Sequence, residues 1–317
     1  MFSVGGPMTT SATDDHRALL DRVPGWAGRA RVIRALEGGI TNRNLLVDVD
    51  GERFVLRLTG ADTHLLGIDR EVERIANTRA ADLGLAPEVV AFLEPERYLV
   101  TRFVVGEPVP AEVTRKPEML TRVAAMLREF HQSGPLPGAF DCFRIPEISA
   151  ANARERGVAI PAAYDAALER AREIETAFDA SPEPRVPCHN DLLNANFLRD
   201  QSGAADRIWL LDWEYAGMNE RCFDLGNLSV NNELDADGES ALLEAYYGAT
   251  TPRRQARLAL MKIMSDLREA MWGVVQQGIS TIDFDYVEYA RKHFDRLLGN
   301  ASAPGYRALL DDAATPD

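Results

Sequence analysis

The sequence predicts an α+β protein with a small N-terminal unit and a larger, mostly helical C-terminal unit. Short apolar runs between turn residues dominate the first third of the chain, whereas long segments with helical spacing dominate the remainder. With 317 residues and 46% hydrophobic content, the chain can bury a substantial core in one or two domains. We expect a mobile tail over 1–15, a first domain over 16–105 and a second over 106–317.

The first unit is expected to be an antiparallel sheet with one helix. RVIRAL, LLVDVD and RFVLRL are typical of strands, and Asp50-Gly51 between the last two is a strong hairpin signal. Apolar residues at helical spacing follow in IDREVERIANTRAADLG, where Gly84 and the later Pro87 act as stop signals. EVVAFLE and RYLVTRFV are typical of two further strands, so the unit closes near Val105.

The second unit is expected to consist mainly of helices. Helical apolar spacing occurs in PEMLTRVAAMLREFHQS, PAAYDAALERAREIETAFDA, ESALLEAYYG and RRQARLALMKIMSDLREAMWGVVQQGIS. Between the second and third of these segments lie the loop CHNDLLNANFL and the strand RIWLLDWEYA. A polar loop and a strand are therefore embedded in a helical unit.

The charge balance restricts the partners of the chain. There are 35 Lys and Arg against 49 Asp and Glu, a net charge of -14, which argues against binding along nucleic-acid backbones and against attraction to anionic membranes. No apolar run approaches the roughly 18 residues that span a bilayer, and residues 1–15 lack the features of a secretory signal. We expect small-molecule partners, with neither nucleic acid nor membrane.

The cysteine pattern indicates a reducing compartment. Cys142, Cys188 and Cys222 are odd in number and lack CxxC spacing, so they suggest neither a disulfide framework nor a structural zinc site. A cytoplasmic location fits this pattern best.

The polar residues of CHNDLLNANFL are the main candidates for chemistry. Asn196 follows Asp191 by five positions, and Asp212 ends the apolar run of LLDWE about twenty residues further on. Amide and carboxylate oxygens at a loop and a strand end can converge on Mg²⁺, which leaves Asp191 to orient a hydroxyl. Phosphoryl transfer requires this division of labour, because an acceptor oxygen is held in line while metal ions neutralise phosphate charge. His189 is interpreted as a hydrogen bonder that supports the loop.

The N-terminal unit contains residues that complement such a site. The Gly38-Gly39 turn in EGGITNRN has no Cβ atoms, so its backbone N–H groups can approach phosphates closely. Arg57 in FVLRL projects a cation from the third strand, and Glu73 lies sixteen residues later on the following helix, where it can pair with that cation. These residues predict a nucleotide site on the first unit.

The combined motifs resemble a known family. H-x-D-x-x-x-x-N followed by an apolar strand ending in D-x-E resembles the small-molecule phosphotransferases of protein-kinase-like fold, namely aminoglycoside phosphotransferases and choline/ethanolamine kinases. CHNDLLNANFL, LLDWEYAGMNERCFDLGN and MWGVVQQGISTIDFDYVEYARKHFD look like the choline/ethanolamine kinase branch, and GGITNRNLLV with FVLRLTG is similar to its N-terminal lobe. The resemblance covers about residues 30–298. It implies a bilobal fold with an N-terminal nucleotide-binding lobe and a C-terminal catalytic and acceptor-binding lobe.

The resemblance also implies roles for the polar residues of the second half. Asp191 takes the place of the catalytic base, and Asn196 and Asp212 those of the magnesium ligands. Glu214 would lie beside the metal or the acceptor, and Asp224 in FDLGN would brace the catalytic loop.

For the nucleotide, ATP, the resemblance implies contacts from the first lobe. Arg57 stands where a phosphate-contacting lysine is usual, with Glu73 as its partner, and offers forked donors to phosphate oxygens. The predicted nucleotide-binding residues are Gly39, Ile40, Thr41, Asn42, Arg57, Glu73, Thr101 and Phe103.

Aromatic residues in the family-like segments favour a choline-like acceptor. A quaternary ammonium is recognised by ring faces within about 6 Å, helped by a carboxylate, whereas a multiply charged aminoglycoside would suit a wide acidic groove. The candidate rings are Trp213, Tyr215, Trp272, Phe284, Tyr286 and Tyr289.

Two departures from the family pattern leave the acceptor open. Glu269 stands where eukaryotic choline kinases carry a second tryptophan, one helical turn before Trp272, and LSVNNELDADG is shorter and less aromatic. A primary or less methylated amine that hydrogen-bonds to Glu269 or Glu214 therefore becomes credible. The predicted substrate-binding residues are Glu214, Tyr215, Glu269, Trp272, Tyr286 and Tyr289.

The sequence thus predicts a magnesium- and ATP-dependent kinase acting on the hydroxyl of choline or a related amino alcohol such as ethanolamine. The alternatives are an aminoglycoside or other small-molecule phosphotransferase of the same fold, or a catalytically silent kinase-like binding protein. Arg57 in place of lysine favours the silent protein, whereas the intact Asp191, Asn196 and Asp212 oppose it.

Overall fold

The computed structural model describes residues 4–7, 16–36, 43–60, 62–202 and 206–317. Two compact units are present. The first combines Met1–Thr63, Asp69–Val109 and Ala195–Glu214, and the second combines His64–Ile68, Pro110–Asn194 and Tyr215–Asp317.

A six-stranded antiparallel sheet forms most of the first unit, with strand order β1-β2-β3-β4-β6-β5. Both turn residues between β3 and β4 have positive φ, 52° at Asp50 and 89° at Gly51, as two-residue hairpins require, so the predicted hairpin is confirmed. The strands are β1 (Val4–Pro7), β2 (Arg31–Leu36), β3 (Arg43–Val49), β4 (Glu52–Leu58), β5 (Val89–Leu93) and β6 (Tyr98–Arg102).

Strand β1 differs from the expectation of a mobile tail over 1–15. Residues 4–7 pair antiparallel with β2, because the outer edge of β2 otherwise presents unpaired backbone groups. The remainder of that tail lies outside the described residues.

One face of the sheet carries the core of the first unit. Leu45, Val47, Leu56 and Val100 are fully buried there, together with Trp26. The predicted helix is α1 (Arg70–Asp82), which begins where the Asp69 carboxylate accepts the Glu71 N–H at 2.9 Å.

A three-stranded antiparallel sheet extends the first unit, with strand order β10-β9-β7. Its strands are β7 (Gly106–Pro108), β9 (Phe197–Asp200) and β10 (Ile208–Leu210). The Leu210 N–H donates to the Leu85 carbonyl at 2.8 Å. These hydrogen bonds group 106–109 and 195–214 with the first unit, whereas the sequence assigned both stretches to the second domain.

Helices dominate the second unit, as predicted, around the long helix α8, which packs against α4, α5, α6, α9 and α10. The helices are α2 (Ala111–Thr114), α3 (Pro117–His131), α4 (Ile145–Glu155), α5 (Ala163–Ala180), α6 (Arg221–Asn231), α7 (Ala236–Tyr247), α8 (Pro252–Ile279), α9 (Tyr286–Ala301) and α10 (Tyr306–Ala314). Strands β8 (Val186–Cys188) and β11 (Gly217–Asn219) pair antiparallel. Of the described helices, none is long and apolar enough to cross a membrane.

Helix α6 is a central element that the apolar spacing of the sequence did not predict. Nine of its eleven residues are buried, with Asp224, Asn227 and Ser229 among them, so burial does not follow the usual division into an apolar inner face and a polar outer face. A Cβ on Gly226 would lie 2.9 Å from the backbone N of Lys262, so glycine permits α6 to approach α8 closely. This contact fixes the position of Asp224, two residues earlier.

Candidate active site

The loop after β8 carries Asp191 and is held by a buried carboxylate. Asp224 on α6 accepts the His189 N–H at 2.9 Å with Oδ2 and the Asn190 N–H at 2.7 Å with Oδ1. Asn190 has a φ of 67°, so the chain turns sharply just before Asp191. These two N–H groups directly precede Asp191 in the chain. Their hydrogen bonds to the two oxygens of Asp224 therefore fix the position of Asp191.

Asp224 is in turn held by a histidine from α3. His131 Nε2 lies 3.0 Å from Asp224 Oδ2, and His131 Nδ1 lies 2.6 Å from the Tyr246 hydroxyl. Burial by itself would raise the pKa of Asp224, but the hydrogen bond and charge of His131, with those of His189, lower it below its ordinary value. Asp224 therefore remains an acceptor for the loop.

Cys188 completes a buried group with these two side chains. Ligand atoms of His131, Cys188 and Asp224 all lie within 4.8 Å of one another, a grouping that could hold a metal ion. His131 and Asp224 are already hydrogen-bonded as described, and the Cys188 thiol donates to the Glu220 carbonyl at 3.8 Å. Hydrogen bonding therefore accounts for the cluster as a brace for the loop.

Further side chains fix the loop. The Leu192 N–H donates to Asn227 Oδ1 at 2.5 Å, and the Asp191 N–H donates to His189 Nδ1 at 3.2 Å. His189 is fully buried and thus lies where a supporting hydrogen bonder belongs. Each of these contacts restricts the backbone that presents the carboxylate of Asp191.

A guanidinium links Asp191 to a second carboxylate. Arg268 Nη1 lies 3.2 Å from Asp191 Oδ1 and 2.5 Å from Glu269 Oε1. The second oxygen of Glu269 accepts the Tyr289 hydroxyl at 2.7 Å. Burial would lower the pKa of Arg268, but the charges of Glu269 and Asp191 raise it above its ordinary value, so the group is a permanent cation.

Aromatic side chains surround this charged group within the second unit. The Trp272 ring centroid lies 5.8 Å from that of Tyr286 and 5.5 Å from that of Tyr289. Phe284 lies 4.9 Å from Tyr286, and Trp272 Nε1 donates to the Tyr215 hydroxyl at 3.1 Å. The structure therefore brings these rings together beside Glu269, and we call these five residues the aromatic cluster.

Trp213 is a correction to the predicted set of rings. It is fully buried in the first unit, where its Nε1 donates to the Leu210 carbonyl at 3.0 Å. The positive φ of Asp212, 66°, ends the extended run, and a 3₁₀ turn over Trp213–Tyr215 follows. The predicted strand RIWLLDWEYA consequently contracts to β10, and Trp213 becomes a core residue.

In the first unit, Arg57 pairs with two carboxylates. Its Nη1 lies 2.8 Å from Glu73 Oε1 and 2.8 Å from Asp212 Oδ1. Burial would lower the pKa of Arg57, but the charges of Asp212, Glu73 and Glu214 raise it above its ordinary value. The Asp212 side chain remains 33% exposed, so this carboxylate is accessible to a ligand.

A second arginine completes this cluster. Arg70 Nη1 lies 2.7 Å from Glu73 Oε2 and 3.1 Å from Glu214 Oε2. Burial, with the nearby charge of Asp212, raises the pKa of Glu214 to about 7 although Arg57 and Arg70 oppose that change. Glu214 is thus held by Arg70 within the first unit.

Asn196 and Asp212 lie at adjacent ends of one hairpin. Phe197 pairs with Leu210, and the Leu211 N–H donates to the Asn196 carbonyl at 2.8 Å. Each side chain offers an oxygen, which is the ligand type that Mg²⁺ selects. The partly exposed carboxylate of Asp212 and the amide of Asn196 are thus oxygen donors of the kind that a divalent cation takes.

The other predicted nucleotide-binding residues divide into two groups. Gly39, Ile40, Thr41 and Asn42 lie outside the described residues. Thr101 is half-buried on β6, and the Phe103 N–H donates to the Arg53 carbonyl at 3.0 Å.

Two arginines were missed by sequence reasoning. Arg70 precedes Glu73 by three positions on α1, a spacing that places both side chains on one helix face and could have indicated the pair. Arg268 precedes Trp272 by four positions on α8, so helical spacing could likewise have placed it near the rings. The contact of Arg268 with Asp191 has no such local signal, because 77 residues separate them.

Comparison with known proteins defines the class of the chain. Residues 32–260 match the model of the phosphotransferase enzyme family, and the chain belongs to this family. A solved choline/ethanolamine kinase family protein from Mesorhizobium loti is 31% identical with a TM-score of 0.78, and the match covers 95% of this chain and 99% of that one. Within the class, the chain is therefore of the choline/ethanolamine kinase type, as the motifs indicated.

Two further relatives agree with this placement. The probable ethanolamine kinase A of Dictyostelium discoideum is 28% identical over 305 residues, which cover 83% of this chain and 84% of that protein. Choline kinase LicA from Streptococcus pneumoniae has a TM-score of 0.76 at 20% identity, with 92% of this chain and 99% of that one covered, and shows the same fold. The predicted kinase-like α+β fold is confirmed.

Proposed function

We propose that the protein transfers the γ-phosphoryl group of ATP to the hydroxyl of choline or a related amino alcohol such as ethanolamine. The observation that carries this proposal is that Arg268 connects Asp191, on its anchored loop, to Glu269, which lies beside the aromatic cluster. The carboxylate that would bind a hydroxyl and the rings that would bind an organic cation are thus connected by one arginine. Family membership supplies the phosphoryl-transfer chemistry.

Asp191 acts as the base in this proposal. The acceptor hydroxyl donates its hydrogen bond to Asp191 and gives up its proton to that carboxylate as the oxygen bonds to the γ-phosphorus. The bond from that phosphorus to the bridging oxygen breaks, and ADP leaves with the electron pair. The anchored loop keeps the carboxylate in one position, so little reorganisation is needed during transfer.

Asn196 and Asp212 would hold Mg²⁺, and the ion neutralises charge on the β- and γ-phosphates when bound. Arg57 offers guanidinium N–H groups to phosphate oxygens, while Glu73 orients it. Glu214 keeps Arg70 in place beside Glu73. The backbone of Gly39, Ile40, Thr41 and Asn42 and the side chains of Thr101 and Phe103 complete the proposed nucleotide site.

The aromatic cluster receives the cationic end of the acceptor. Faces of Trp272, Tyr286 and Tyr289 attract an ammonium group through the ring quadrupole. Both oxygens of Glu269 already have partners, Arg268 and Tyr289. This carboxylate therefore contributes negative electrostatic potential to the site rather than a free hydrogen-bond acceptor. The rings rather than a direct ion pair therefore carry recognition, which suits choline and less methylated amines alike.

The division of labour and the location form part of the proposal. The first unit contributes the nucleotide and metal ligands, and the second unit contributes the base and the acceptor residues. A reducing cytoplasm is supported by the three cysteines, which are free, buried thiols.

A substrate panel tests the proposal. Purified protein with ATP and Mg²⁺ is incubated with choline, ethanolamine, thiamine or kanamycin, and ADP and phosphorylated product are quantified by mass spectrometry. We expect turnover of choline or ethanolamine with the highest kcat/KM. Turnover of kanamycin alone would contradict the acceptor assignment, and calorimetric ATP binding without any turnover would instead identify a silent binding protein.

A further inference from the structure

The ion pairs that hold Arg268 engage only one nitrogen of its guanidinium group. Its side chain is 4% exposed, and Nη1 alone serves both Asp191 and Glu269. Nη2 is buried and has no hydrogen-bond partner among the residues that the structure describes. A guanidinium nitrogen beside the proposed base is thus left with unused N–H groups.

Among the residues that the structure describes, the neighbours of Arg268 do not satisfy these N–H groups by other means. The guanidinium carbon lies 4.1 Å from the centre of the Tyr215 ring, so the ring covers the face of the cation. Guanidinium N–H groups point outward in the plane of the group, where a stacked ring offers no acceptor. A buried donor without a protein partner is available to an oxygen of a ligand or of water.

We propose that Arg268 Nη2 donates a hydrogen bond to the hydroxyl oxygen of the acceptor, so that Asp191 and Arg268 bind the two sides of the reacting group. This inference rests on the proposed function. Nη1 and Nη2 share one carbon, and Nη1 contacts Asp191. A hydroxyl that donates to Asp191 consequently lies within reach of Nη2, and its second lone pair remains available for attack on phosphorus.

The same arginine sets the direction in which an amino alcohol binds. Such an acceptor has a cationic end and a hydroxyl end, and an isolated Asp191 would attract the cation. The permanent charge of Arg268 repels the ammonium from that position, whereas the uncharged ring faces of Trp272 and Tyr289 attract it. Arg268 therefore selects the orientation that presents the hydroxyl to the base.

The test compares ligands that differ only in the hydroxyl. Calorimetry measures the affinity of choline and of ethyltrimethylammonium for the wild type, Arg268→Lys and Arg257→Lys. Lysine keeps the charge beside Asp191 and Glu269 but cannot supply the second donor of the fork. Arg257 is a matched control, since it is a buried arginine on the same helix, stacked 4.1 Å from the ring of Phe178 and remote from Asp191.

In the wild type we expect choline to bind more tightly than the hydroxyl-free ligand. Arg268→Lys should reduce this preference roughly 10- to 150-fold, the range for loss of a hydrogen bond to a charged donor. Arg257→Lys should leave the preference unchanged even if it lowers the melting temperature. A structural role of Arg268 would weaken both ligands equally, so an unchanged preference in Arg268→Lys overturns the inference.

A crystal structure of the wild-type protein with choline provides a test that does not depend on a folded variant. The inference requires the choline oxygen within about 3 Å of both Arg268 Nη2 and an oxygen of Asp191. Choline bound with its ammonium at Asp191, or with Nη2 facing only water, would refute it. Failure of wild-type protein to bind either choline or ethanolamine would refute the proposed function itself.

Discussion

Each unit carries a cluster of charged side chains, and the two clusters differ in which group remains available to a ligand. In the first unit, Arg57 and Arg70 pair with Glu73, Asp212 and Glu214, and one carboxylate of that set remains partly exposed. In the second unit a single guanidinium joins two carboxylates, and the unused group is a buried donor, Nη2 of Arg268.

This difference indicates what each unit can bind. A partly exposed carboxylate and an amide oxygen at adjacent strand ends, as at Asp212 and Asn196, suit a hard cation. The buried N–H groups of Arg268 lie beside the carboxylate of Asp191. This combination suits a hydroxyl, which both donates and accepts a hydrogen bond. We therefore propose that the first cluster binds a metal–phosphate group and the second an alcohol.

The largest effect is expected at the second cluster. Asp191→Asn removes the proton acceptor but keeps the shape of the side chain, and we expect kcat to fall roughly 10²- to 10⁴-fold with ATP affinity nearly unchanged. Kinetics with choline and calorimetry with ATP measure both quantities. Asp235→Asn is the control, because asparagine caps a helix as well as aspartate does and Asp235 caps α7. Wild-type activity in Asp191→Asn would remove the proposed base.

A smaller effect, of a different kind, is expected at the first cluster. Asp212→Asn removes the charge of a proposed metal ligand, so we expect kcat to fall roughly 10²- to 10³-fold. The loss should be accompanied by a higher Mg²⁺ requirement, whereas choline affinity stays unchanged. Activity titrated with MgCl₂ measures this. If choline affinity fell as strongly as activity, the assignment of separate ligands to the two clusters would be wrong.

Asp224→Asn is expected to act on stability as well as on rate. The variant places an amide N–H group beside loop N–H groups that need an acceptor, and we expect a loss of about 3 kcal/mol in the free energy of unfolding. Urea denaturation measures it. Since the loop that presents Asp191 is then loosened, kcat should fall while ATP affinity stays unchanged.

The same residue predicts a pH dependence. The folded pKa of Asp224 lies below its ordinary value of 3.8, so its ionisation stabilises the fold fully above that value. This contribution is lost as pH falls through the lower folded pKa. Acid unfolding of the wild type should show this loss below about pH 4, and Asp224→Asn should lack it. Identical acid profiles for the two proteins would show that Asp224 is not the group concerned.

The smallest effect concerns the cysteines, all of which lie in the second unit. Burial raises the pKa of Cys222 to about 11 and raises the pKa values of Cys142 and Cys188 well above the ordinary thiol value. Since the thiolate is the reactive form, iodoacetamide at pH 8 should modify none of them in the folded protein. Mass spectrometry should detect rapid modification of all three in urea. Fast labelling of the folded chain would contradict their burial.

Local signals in the sequence were sufficient for much of the fold. The Asp50-Gly51 hairpin follows from turn chemistry, and the helix that precedes Gly84 follows from apolar spacing and stop signals, all of which depend on neighbouring residues only. Helix α6 could not be predicted in this way because it is buried on nearly every side. The grouping of 195–214 with the first unit depends on pairing with β7, about ninety residues earlier.

The candidate site divides in the same manner. Arg57 and Glu73 could be paired from the sequence because a strand and the next helix position them. Asp191 and Asp212 could each be identified as a candidate because each lies within a motif. The links of Arg268 to Asp191 and of Arg57 to Asp212 span 77 and 155 residues. Such contacts arise from tertiary packing, for which no local pattern exists.

The central claim is that Asp191 directs the hydroxyl of an amino alcohol to the γ-phosphorus of ATP. Phosphorus NMR of the wild type with ATP, Mg²⁺ and choline labelled with ¹⁸O in its hydroxyl tests it most directly. We predict a phosphomonoester whose resonance carries the isotope shift of a bridging ¹⁸O, and no such product with Asp191→Asn. Release of unlabelled inorganic phosphate alone, or an equal yield of labelled ester from the variant, would contradict the account.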